Sequence, residues 1–317
     1  MYIQEQLPWD QINDDTLSFF KAIGVDYLTV NAIPHDVREG TDRTELWRDV
    51  KTLAESHGLK LTNLAATGWD EISLALDDRD EKIEAWRQLL RSMGEVGVPT
   101  LGYNFKPAGN FRTESVPPGR GGARYSTFDY EKMMEDPPYY PDKAISEEKI
   151  LENIRYFLER VIPVAEENGV RMALHPDDPP IPEPLAGAAR IVSTLEQYHH
   201  IFDMVPSSSN AMLFCQGCVA EMGENVCDAI RDIGGRDKIV YVHFRNIRGG
   251  PRKFQEVFVD EGDQDMYEAM QTYKEVGFEG PFMMDHTPGF PNTDSTFWAG
   301  RAFAVGYMRA LIQAVYR

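Results

Sequence analysis

Eight short apolar runs recur along the chain, and a longer stretch of helical periodicity follows almost every one of them. No other feature restricts the fold as much. The runs are YIQEQ (2–6), GVDYLTV (24–30), LKLTNLA (59–65), TLGYNF (100–105), VRMALH (170–175), AMLFC (211–215), IVYVHF (239–244) and PFMMD (281–285). The intervening helical stretches include TELWRDVKTLAESHG (44–58), EKIEAWRQLLRSMGEVG (81–97), ISEEKILENIRYFLERVIPVAEENG (145–169) and AARIVSTLEQYHHIFD (188–203), and STFWAGRAFAVGYMRALIQAVYR (295–317) closes the chain. Gly24, Gly58, Gly97, Gly169 and Gly277 each stand just past an apolar helical stripe, where a left-handed cap favours glycine, and the next strand begins shortly afterwards. That rhythm is the one of βα units around a parallel sheet. Eight such units in 317 residues fit an α/β fold of the (β/α)8 TIM-barrel type better than an open sheet. No GxGxxG follows the first strand, so a dinucleotide-binding fold has little support. Residues 1–317 are read as a single domain, interrupted by a segment at about 107–143 that is rich in Pro, Gly, Arg and Tyr and lacks periodicity. It follows a strand, which places a long loop on the face where barrel enzymes keep their active sites.

Composition narrows the function classes. The formal net charge of −19 argues against binding nucleic acid or an anionic membrane. An anionic small substrate would need a local cluster of cations, for which Lys106, Arg112, Arg120, Arg124, Arg245 and Arg248 are candidates. The three cysteines are too few for a disulfide framework. With no long apolar span and no signal-like N-terminus, a cytoplasmic protein is expected.

The strand ends carry the chemistry. His175, Cys215, His243 and Asp285 lie at or next to the ends of the last four strands. Barrel strand ends converge on one face, so four residues far apart in sequence are expected to meet. Imidazole, thiolate and carboxylate together suit a divalent transition metal better than calcium or magnesium. Each residue alone has an ordinary explanation as a packed or hydrogen-bonded side chain; their sequence at successive strand ends is what points to metal. In CQGC (215–218), Cys215 is the expected ligand, while Cys218 and Cys227 are expected to pack. His286 directly follows Asp285 and is a candidate acid or base, or a group that orients a ligand. His199 and His200 fall within a helical pattern and are read as surface residues.

YNF (103–105), FRT (111–113), IPVAEENGVRMALHPDDPP (162–180), RIVST (190–194), C-x-G (215–217), HFR (243–245), GDQDMYE (262–268) and DH (285–286) together resemble the mannonate dehydratases. The resemblance implies a xylose isomerase-like TIM barrel. It also implies a metal site of His175, Cys215, His243 and Asp285 holding Mn2+ or Fe2+, a catalytic His286, and Asn104 and Arg245 facing a sugar acid. The activity implied is removal of the C2 proton and loss of the C3 hydroxyl, which gives a 2-keto-3-deoxy product. The prolines of HPDDPP are expected to stiffen a loop that holds two aspartates beside the site. Asp178 is assigned as a second catalytic candidate, and Asp177 and Arg112 as substrate-binding candidates.

The chain also departs from the family. Thr296 stands where a catalytic tyrosine is usual, ATGWDEISLAL (66–76) carries no histidine, and HFRN replaces HLRS. Metal ligands are kept while substrate and acid–base positions change, so another aldonate or a uronate-containing oligosaccharide is an alternative substrate. A metal-dependent sugar isomerase or epimerase, and a non-catalytic sugar- or metal-binding protein, are the alternative functions. The expected partner is a small anionic carbohydrate, with no nucleic acid and no membrane, and the expected assembly is a homo-oligomer, dimer or tetramer.

Overall fold

The computed structural model describes residues 1–114, 118–291 and 296–316. Eleven strands occur in chain order: β1 (Tyr2–Pro8), β2 (Tyr27–Ala32), β3 (Lys60–Ala66), β4 (Thr100–Tyr103), β5 (Ser126–Asp129), β6 (Arg171–Leu174), β7 (Asn210–Cys215), β8 (Ile239–His243), β9 (Ile247–Gly250), β10 (Lys253–Glu256) and β11 (Pro281–Met283). Eight close into a parallel barrel in the order β1-β11-β8-β7-β6-β4-β3-β2. Each of the eight apolar runs seen in the sequence supplies one barrel strand. Strands covered on both faces must be apolar nearly throughout, and β7 and β8 are buried along their whole length. The helices form the outer layer, and Trp47 and Trp86 are buried where they meet the barrel and one another. Among the described residues no helix is long and apolar enough to cross a membrane.

The barrel register positions the site. Cys215 on β7 pairs across the ladder with His243 on β8, and His243 pairs with Met283 on β11. His175 follows the last residue of β6, and Asp285 lies two residues past β11.

Two expectations are corrected. The helix expected over 188–203 spans Leu195–Met204 instead, capped by Thr194, whose side chain accepts from Gln197 N at 3.2 Å. Residues before the cap are spent on a loop: Val192 N and Ser193 Oγ both donate to the Asp177 carboxylate. The segment 107–143 is not structureless either. It contains β5 and a helix, Tyr130–Glu135, and β5 joins β10 and β9 in a separate three-stranded antiparallel sheet. Its Phe128 and Phe254 rings pack 5.6 Å apart. The hairpin β9–β10 follows β8, so the small sheet stands beside the C-terminal end of the barrel strands.

Candidate metal centre and its cavity

His175, Cys215, His243 and Asp285 each offer one ligand atom, and those atoms all lie within 4.8 Å of one another. Three features fit them to a metal ion. His175 Nδ1 donates to the Pro176 carbonyl at 2.7 Å, which leaves Nε2 with its lone pair for ligation. Both ring nitrogens of His243 are buried without a hydrogen-bond partner among the described residues, although Nδ1 lies 3.5 Å from Asp285 Oδ1. Orphaned buried nitrogens are rare unless a ligand satisfies them. Finally, the two imidazoles, one thiolate and one carboxylate form a donor set of intermediate softness.

The electrostatics of the site call for positive charge. Burial raises the Cys215 thiol, but the Cys218 S–H, the Arg245 guanidinium and the two imidazoles together hold it well below the usual thiol range. Burial also works against ionising Asp285, yet His243, His286 and Arg245 keep it well below the usual carboxylate range. Burial disfavours the imidazolium of His243, but Asp285 and Cys215 outweigh it and push His243 up to about 9. Two anions thus surround His243, and a proton or a metal ion answers them.

Arg245 organises the far side of the ligands. It is fully buried, and its Nη1 reaches Glu256 Oε1 at 2.9 Å, Asp285 Oδ2 at 3.3 Å and Asp178 Oδ2 at 3.4 Å. Its Nη2 donates to Glu221 Oε1 at 2.8 Å and to Cys218 Sγ at 3.2 Å. The expectation that Arg245 faces substrate is therefore corrected: its donors are taken by protein acids, Cys218 and the ring of His286, and it does not line the cavity. Gly217 makes room for it, since a Cβ there would fall 2.3 Å from Arg245 Nε. The glycine of the C-x-G motif has a packing reason.

The other expected site residues divide. Asn104 lines the cavity, and its Oδ1 accepts from Gly68 N at 3.4 Å. Asp177 is turned away from it, accepting from Val192 N at 2.9 Å and Ser193 Oγ at 3.1 Å, with Arg190 Nε at 3.6 Å, so its expected contact with substrate is corrected. Asp178 lines the cavity but is clamped by Arg112, Nη1 to Oδ1 at 2.7 Å and Nη2 to Oδ2 at 2.8 Å. Burial opposes its charge, yet Arg112 and Arg245 hold it far below the usual carboxylate range. A carboxylate so fixed has no proton to give. Arg112 also pairs with Glu256, so its guanidinium too is turned to protein acids and does not line the cavity. His286 lines it, with Nδ1 3.3 Å from Glu256 Oε2 and Nε2 3.4 Å from Asp285 Oδ2. Its side chain is 45% exposed, which suits a group that must reach a bound molecule. Thr296 begins the last helix, and its side chain lies outside the described residues.

The cavity measures about 240 Å³. Apart from His175, His243, Asp285, His286 and Asp178, its polar lining is Gln6, Asn31, Thr67, Asn104, Asn110, Lys106 and the rings of Tyr103 and Tyr241. Amides and a hydroxyl, with both donors and acceptors, suit a polyhydroxylated chain. No positive patch forms from the arginines picked out in the sequence: Arg120 pairs with Asp260 at 2.9 Å, Arg248 with Glu261 at 3.0 Å, and Arg124 is exposed. Lys106 lines the cavity, and burial pushes its ammonium below the usual lysine range. Sequence reasoning missed Glu221 and Glu256. Neither carries a motif, and burial of Glu256 on the short strand KFQE becomes intelligible only once β10 is seen beside His286.

Comparison with known proteins converges on one family. The family model described as D-mannonate dehydratase (UxuA) matches residues 10–140 and 136–317. A mannonate dehydratase of Enterococcus faecalis is 31% identical over 336 aligned positions, covering 92% of this chain and 90% of the relative. The crystal structure of mannonate dehydratase from Streptococcus suis serotype 2 superposes with a TM-score of 0.86 at 26% identity, covering 100% of this chain and 94% of that one. A xylose isomerase domain protein from Planctomyces limnophilus shares the fold at a TM-score of 0.64 and 16% identity, covering 99% and 98% of the two chains.

Proposed function

Because this chain belongs to the mannonate dehydratase family, we propose that it is a hydro-lyase that dehydrates a sugar acid, with D-mannonate the first candidate. The observation that carries the reading is a set of two imidazoles, a thiolate and a carboxylate within 4.8 Å, beside a cavity whose remaining lining joins neutral amides and hydroxyls to His286, Asp178 and Lys106. His175, Cys215, His243 and Asp285 would hold Mn2+ or Fe2+. Such an ion supplies Lewis acidity, which makes a proton next to a carboxylate easier to remove.

The protein groups then have distinct tasks. In the reaction the C2–H bond breaks and its proton goes to a base; the C3–O bond breaks, the departing hydroxyl takes up a proton and leaves as water, and the enol formed rearranges to the 2-keto acid. His286 is the group we assign to one of these transfers, since it combines cavity exposure with a titratable ring. Glu256, 3.3 Å from its Nδ1, and Arg245 Nη1, 3.2 Å from its Nε2, orient the ring. Asp178, clamped by Arg112, holds the loop edge of the cavity and serves as a fixed charge rather than as an acid. Arg245 fixes the Asp285 carboxylate from behind.

The test is mass spectrometry of products after manganese-loaded protein is incubated with D-mannonate, other aldonates and unsaturated uronate oligosaccharides. Loss of one water from a substrate, abolished in His175→Ala, is expected. A product of unchanged mass and altered retention would replace the dehydratase with an isomerase or epimerase.

A further inference from the structure

Among the described residues five lysines and arginines are buried: Lys82, Lys106, Arg190, Arg245 and Arg301. Four of them face an acid. Lys82 meets Glu39 at 2.8 Å, Arg190 meets Asp177 at 3.6 Å, Arg245 meets Glu221 at 2.8 Å and Arg301 meets Glu5 at 2.7 Å. Lys106 is different. It is 7% exposed, its Nζ donates to the Pro176 carbonyl at 3.3 Å, and no carboxylate lies within 4.0 Å of it among the described residues. Asp178 and Asp177 act on it through space, but Asp178 is clamped by Arg112 and Asp177 faces Arg190, so neither closes an ion pair with it. A buried ammonium without a direct ion pair is costly. Among the described residues Lys106 is also the one lysine or arginine that lines the cavity, three residues past the end of β4 and close to the metal-ligand loop.

We propose that Lys106 anchors the carboxylate of the substrate, its ammonium pairing with that anion while Gln6, Asn31, Asn104 and Asn110 receive the hydroxylated chain. The inference rests on the sugar-acid reading above and deepens it, because it makes Lys106 the group that separates an acid from the corresponding neutral polyol. The lysine's compact charge suits a carboxylate that enters with one oxygen free for other partners. The carbonyl of Pro176 already fixes the ammonium on one side, so the anion meets a positioned donor.

The experiment uses full-length, manganese-loaded protein and compares Lys106→Met and Lys106→Arg with the parent. Calorimetry measures binding of aldonates and of the alditols with the same carbon skeletons, manganese content is determined for each variant, and steady-state kinetics are recorded. In Lys106→Met, aldonate affinity should fall about 100-fold while alditol affinity and bound manganese change less than about twofold, and Lys106→Arg should recover part of the loss. With turnover, the effect should appear in KM more than in kcat. Equal weakening of aldonate and alditol, or loss of manganese, would overturn the proposal and make Lys106 a support for the Pro176 carbonyl and His175. Parent protein that binds aldonates through Lys106 but never releases water would sink the dehydratase reading and leave the anchor standing. Dehydration with an unchanged KM in Lys106→Met would do the reverse.

Discussion

The cavity has two walls of opposite character, and they come from different halves of the chain. From β6, β8 and β11 and the residues after them come His175, Asp178, His243, Asp285 and His286, each of them titratable. From β1 to β4 and the turns after them come Gln6, Asn31, Thr67, Asn104 and Asn110, each of them neutral, with Lys106 as the exception. One wall holds charge in place: Asp178, Glu221 and Glu256 behind the ligands are tied to Arg245 or Arg112. The other offers hydrogen bonds without charge, the means by which hydroxyl stereochemistry is distinguished. Reaction and recognition are therefore carried by separate strands, and substitutions in one wall should leave the other wall's function measurable.

The largest effect expected is at the ligands. Cys215→Ala should strip the metal and lower kcat/KM by about a thousandfold or more, read by metal analysis and product assay. Arg245→Met comes next. It leaves Glu221, Glu256 and Asp178 buried with a cation missing, so urea unfolding should show a loss of about 3–5 kcal/mol. A variant as stable as the parent would show that the charged wall does not depend on its central guanidinium. Proton bookkeeping sharpens the picture further. His243, pushed up to about 9 from its ordinary 6.5, carries a proton near neutral pH, whereas Cys215 is already held as thiolate. Metal must displace that proton, so affinity should fall about tenfold for each pH unit below 9, with about one proton released per ion. Calorimetry in buffers of different ionisation enthalpy counts it, and zero release would contradict the assignment. Glu256→Gln should keep the metal and lower kcat about 10- to 100-fold, read by metal analysis and product assay, because His286 loses the carboxylate that orients its ring. The smallest effect belongs to the neutral wall. Asn31→Ala or Asn104→Ala should raise KM by about tenfold, with metal content unchanged. Loss of metal from either would break the division of labour.

The same division decided what could be read before the structure. Apolar strands and the ligands at their ends are patterns local to each run, and the barrel topology then brings the ends together. The roles of arginine and aspartate are not local. Arg245 was expected to face substrate because its acids, Glu221, Glu256 and Asp178, lie on three other segments and meet it only in three dimensions. Asp177 and Asp178 are neighbours in sequence, yet one takes the amide of Val192 and the other the guanidinium of Arg112. Nothing in HPDDPP distinguishes them. The 107–143 segment hid its strand because β5 is four residues long and pairs with β10, far along the chain. Lys106 is one cation among several in the sequence, and what sets it apart is the absence of a carboxylate within ion-pair distance among the described residues.

The order in which the ligands leave the ribosome has a consequence for assembly. His175, Cys215 and His243 lie at or just past the ends of the consecutive barrel strands β6, β7 and β8, but Asp285 follows β11, the strand that bridges β8 and β1 and so shuts the ring. Three ligands can gather on an open sheet; the fourth joins only when the two ends of the barrel have met. An ion held by all four is a fastener across that seam, and it draws the equilibrium toward the closed ring by the full amount of its own binding.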